Sequence, residues 1–125
     1  MGSEERGMYV REGKGSSGGG MTIALVMTTF ETEADARNAA EVLIEERLAA
    51  CVQIVPCRSV YRWEGAIEDG EEFRLDIKTD KARIGALLQK ITDIHPYDEP
   101  ELLVFDAAGA SPSYAAWVNT ETVGN

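Results

Sequence analysis

The stretch from Ala50 to Thr79, ACVQIVPCRSVYRWEGAIEDGEEFRLDIKT, limits the fold more than any other part of this chain. It reads as two long strands joined by an acidic turn. Ala50–Val55 and Arg58–Glu64 are rich in Val, Ile, Tyr and Trp, and Phe73–Thr79 alternates apolar with polar, as a strand with one covered face does. Gly65 and Asp69-Gly70 supply turn chemistry between the arms, because glycine tolerates positive φ and Asp-Gly suits hairpin turns. Pro56 has no amide hydrogen to give to a ladder, so a bend or bulge is expected between Val55 and Arg58. The first arm is about twice as long as the usual strand of roughly five to six residues. Its outer half, with Tyr61, Arg62 and Trp63, is expected to meet a partner beyond its own subunit.

The flanking segments supply the rest of a sheet and its cover. Thr22–Thr29, TIALVMTT, is apolar on both sides until its end, which suits a central strand. Thr32 can cap a helix, with Asp35 at its third position. Ala36, Ala39, Ala40, Leu43 and Leu48 then recur at helical spacing, and the helix is expected to end near Ala49. After the hairpin, Asp80 is a good cap for a helix carrying Ile84, Leu87, Leu88, Ile91 and Ile94 on one stripe. Pro96 disfavours helical geometry at His95 and stops it. A polar loop leads to a strand over Glu101–Asp106, and Ser111-Pro112 opens a short helix over Pro112–Asn119 that presents Tyr114 and Trp117. The order β-α-β-β-α-β plus a terminal helix is the α+β, ferredoxin-like split βαβ arrangement. Right-handed crossovers put the first and third strands in the middle.

Alternation divides the sheet into two unequal sides. Phe73, Leu75 and Ile77 share a face with Val52 and Ile54, and both helices belong there. The other face carries Cys51, Gln53, Arg74, Asp76 and Lys78 among apolar residues of the first and fourth strands. Such a face, with an overlong arm and two open edges, invites packing against copies of the same chain. Asp76 there needs a cation, with Arg74 or Lys78 the candidates, because a lone buried carboxylate costs several kcal/mol.

Composition narrows the partners. The net charge is −10, without the basic stripe that phosphate backbones require, so nucleic acid is excluded as a partner. No apolar run approaches the roughly 20 residues of a membrane span and no signal peptide is visible, so the cytoplasm is the expected compartment. Cys51 and Cys57 are too few for a disulfide framework. Residues 1–20 end in a Ser/Gly run and read as a tag, a linker or a disordered extension. Met21 is a plausible natural start, residues 21–120 form one domain and 121–125 a fraying tail.

The combined pieces EERLAACVQIVP (Glu45–Pro56), SVYRWEG (Ser59–Gly65), IKT (Ile77–Thr79), HPYDEPE (His95–Glu101) and the Tyr114/Trp117 pair resemble the CutA family of divalent-cation tolerance proteins. The resemblance implies a compact homotrimer with interlocked hairpins, similar in architecture to the PII signalling proteins. It implies no catalytic activity. It further implies binding of copper(2+) or another divalent cation. Asp98 stands where the family's HPYE motif has Glu, Arg74 and Asp76 interrupt a run that is usually apolar, and Cys57 replaces a small residue.

The candidate metal ligands are Cys51, His95, Asp98 and Glu101, with Glu99 beside them. A thiolate with an imidazole suits copper or zinc. One Cys and one His per chain fall short of a four-ligand site, so weak binding at a subunit junction is expected. Cys51 and His95 could also be a nucleophile and its base, but no third orienting group is assignable and no catalytic fingerprint is present, so an enzyme is not expected. The alternative is a PII-like small-molecule-binding signalling module using Lys78, Tyr97 and Glu101. Trp63 and Trp117 read as interface aromatics.

Overall fold

The computed structural model describes residues 22–123. The readings of residues 1–20, of Met21 and of the last two residues lie outside the described residues. The elements are β1 (Ile23–Phe30), α1 (Glu33–Glu45), β2 (Cys51–Trp63), β3 (Ala66–Asp80), a 3₁₀ turn (Lys81–Arg83) running into α2 (Ile84–Ile94), β4 (Leu103–Asp106) and α3 (Pro112–Glu121). The strands form one antiparallel sheet in the order β2-β3-β1-β4. The first and third strands are central, as the crossover argument requires.

The hairpin differs from expectation in two ways. Its turn is the two-residue Glu64-Gly65, closed by the pair Trp63–Ala66, with φ of 50° and 84° at the two central residues. That is the primed geometry whose twist matches the flanking strands. Asp69-Gly70 is not a turn but lies inside β3, opposite Val60 and Ser59. A turn at Gly65 leaves the whole segment from Ala66 free to pair. Nor is there a bulge at Pro56, which sits opposite Phe73 in a register unbroken from Cys51–Lys78 to Trp63–Ala66. β2 is an outer strand, so a residue without an amide hydrogen can face the open edge.

Helix α1 stops at Glu45, four residues before the expected Ala49. Arg47 takes φ of 57°, its N–H donates to the Ile44 carbonyl and the Leu48 N–H to the Leu43 carbonyl. This is the Schellman stop with arginine in glycine's usual place. The start is as expected, with the Asp35 N–H donating to the Thr32 hydroxyl at 3.1 Å. His95 ends α2 with extended backbone. α3 runs to Glu121, beyond the expected Asn119.

The core lies between the sheet and α1 and α2. Val26, Phe30, Leu75 and Ile77 meet Ala36, Ala39, Leu43, Leu87 and Ile91 there. Ile23 packs separately on Ala115 and Val118 of α3. Asp80 joins these parts, because one carboxylate oxygen caps the 3₁₀ turn and the other accepts from Thr22 and Asn119. On the second face Arg74 grips Asp76 with two nitrogens, at 2.8 and 3.1 Å. Asp76 is thus neutralised within its own chain. Leu103 and Phe105 remain 46% exposed.

One core position breaks the rule that buried polar atoms are bonded. Thr28 is fully buried and its hydroxyl has no hydrogen-bond partner among the described residues. Thr28→Val removes that hydroxyl and keeps the shape, so it is expected to raise unfolding free energy by about 1 kcal/mol. Urea denaturation checks this, and a loss of stability would show that the hydroxyl is satisfied.

Candidate functional site

β1 ends at Phe30, opposite Phe73. Beyond that row β2 and β3 continue as a two-stranded arm. Under the arm lies an open cleft of about 980 Å³. Its floor is Ser59, Tyr61, Glu68 and Glu72 from the hairpin, and its facing wall is Tyr97, Asp98, Glu99 and Glu101 from the loop after α2.

His95 anchors that wall. It is 9% exposed and stacks on Phe30, with ring centroids 4.1 Å apart. Its Nδ1 accepts the Tyr97 N–H at 3.1 Å, and Nε2 lies 2.8 Å from the Thr29 carbonyl oxygen. An acceptor at Nδ1 and a carbonyl at Nε2 fix the neutral tautomer with hydrogen on Nε2. Burial pushes the imidazole below its usual value, against the opposing pull of the Thr29 bond. The Tyr97 hydroxyl donates to Glu72 at 2.9 Å, and the Ser59 hydroxyl donates to the other Glu72 oxygen at 2.7 Å. Burial, and then the Glu72 bond, push the Tyr97 phenol well above its usual value, so it remains a donor.

The four expected metal ligands divide into separate places. Asp98 and Glu101 line the cleft. His95 lies behind them with both ring nitrogens engaged. Cys51 is remote: it pairs with Lys78, which pairs with Leu25, whereas His95 bonds to Thr29. Four residues along a strand is roughly 13 Å, and two inter-strand spacings add to it. Cys51 and His95 are therefore not within reach as nucleophile and base. Among the described residues no group of three or more His, Cys, Asp or Glu side chains is close enough to hold a metal ion. Lys78, which pairs with Cys51, contacts the Gln53 side chain and stands at the far end of the sheet from Tyr97.

Glu72, Ser59 and Glu68 belong to the site without a motif of their own to mark them. Extending the alternation of Phe73–Thr79 back to Ala66 places Glu68, Gly70 and Glu72 on one side. The Asp69-Gly70 pair hid that signal by resembling a turn.

With the cleft, the hairpin and the sheet order in hand, the chain can be set beside known proteins. A family model described as CutA1 divalent ion tolerance protein matches residues 24–121. The chain belongs to the CutA1 divalent ion tolerance family. A divalent-cation tolerance protein CutA from Pectobacterium atrosepticum is 42% identical over 96 residues, covering 76% of this chain and 87% of that protein. The CutA structure from Synechococcus elongatus aligns with a TM-score of 0.80 at 37% identity, over 82% of this chain and 92% of that one. A CutA from Archaeoglobus fulgidus, described as a periplasmic divalent cation tolerance protein, aligns with a TM-score of 0.79 at 26% identity, over 81% and 99%. The family's helices and four-stranded sheet are thus the fold seen here.

The state of His95 has a measurable consequence. Its native value lies below the roughly 6.5 of an unfolded histidine, so below about pH 6.5 the unfolded chain binds more protons than the native one. Stability is therefore complete above that pH and declines as pH falls toward the native value. Denaturant unfolding at pH 7.5 and 5.5 should show a larger loss for the natural chain than for His95→Gln. Equal losses would contradict the neutral, doubly bonded imidazole.

Proposed function

We propose that this protein is a non-enzymatic, cytoplasmic homotrimer that binds copper(2+) or a similar divalent cation weakly and serves tolerance of that ion. The observation that carries the reading is the carboxylate-lined cleft, whose lining includes Asp98, Glu99 and Glu101 from the loop and Glu68 and Glu72 from the arm. Asp98 and Glu101 offer oxygen ligands directly. His95 joins them only by releasing Thr29 or Tyr97, and Cys51, four strand rows away, is too distant to share that site. Oxygen donors without a ready thiolate or imidazole favour modest affinity.

The trimer is supported by what one copy leaves in water. Val60 and Ile67 on the arm are 65% and 67% exposed, and Leu103 and Phe105 extend the apolar area on the sheet. Monomeric proteins rarely carry such patches without a partner. Two half-buried free cysteines suit a reducing compartment, and among the described residues no helix is long and apolar enough to cross a membrane.

A second reading, a PII-like module that binds a small molecule, draws on the size of the cleft. About 980 Å³ falls within the range of small-ligand pockets.

Calorimetry with copper(2+) and zinc is expected to show heats that fall in an Asp98→Asn, Glu101→Gln double variant and fall less in His95→Ala. Equal heats in natural and double-variant protein would remove the cleft from cation binding. Light scattering at micromolar concentration is expected to give three chain masses, and a stable monomer would end the trimer proposal.

A further inference from the structure

No further inference is drawn: the strongest candidate, the apolar groove between α1 and the outer strand β2 lined by Ile44, Val52 and Ile54, carries none, because nothing in the structure shows what covers it.

Discussion

The unbroken pairing of β2 with β3 governs everything else in this molecule. It starts at Cys51–Lys78 and ends at Trp63–Ala66 without a slipped residue. A slip of one residue would turn every side chain beyond it to the other face. Ser59 and Glu72 would no longer lie on the cleft side, and Tyr97 would lose its acceptor. Two local features make the long register possible. Pro56 lies on the outer strand, where its missing amide hydrogen leaves no gap in the ladder, and the Glu64-Gly65 turn has the twist that two right-handed strands demand. Glutamate at positive φ carries a local strain, of the order of 1 kcal/mol, which the closing pairs offset.

The arm and the loop after α2 are coupled through three hydrogen bonds. The Tyr97 N–H to His95, the Tyr97 hydroxyl to Glu72 and the Ser59 hydroxyl to Glu72 run from the core edge to the hairpin. His95 ties this chain to β1 through Thr29 and to the core through the Phe30 ring. An imidazole so placed works first as a structural clamp on the loop that carries Asp98 and Glu101. That explains how a flexible-looking HPYDEP sequence can present carboxylates from a fixed backbone. It also separates the residue types that a sequence would group as one metal site.

Much of the fold could be read from residue order. The apolar stripes of α1 and α2, the Thr32 and Asp80 caps and the stop at Pro96 are local chemistry, and local chemistry decided them. The misreadings share a cause. Asp69-Gly70 has turn propensity, Pro56 has ladder-breaking propensity and Arg47 is no usual helix stop, yet in each case pairing or packing elsewhere overrode the local preference. The site was less legible. Asp98, Glu101 and Tyr97 were found by their loop motif, whereas Glu72 and Ser59 become site residues only once the register places them beneath that loop. Cys51 looked like a partner of His95 because nothing in their types reports the four strand rows between them.

The register beyond Pro56 is the claim most open to direct test. A proline cannot sit in a hydrogen-bonded pair, so Pro56–Phe73 and every second pair outward must be of the non-hydrogen-bonded kind, in which α-protons approach closely. Nuclear Overhauser spectra of the isotope-labelled protein should therefore show α-proton contacts between Arg58 and Glu71 and between Val60 and Asp69. Contacts displaced by one residue on the outer side of Pro56 would contradict the account, because the cleft as described could not then exist.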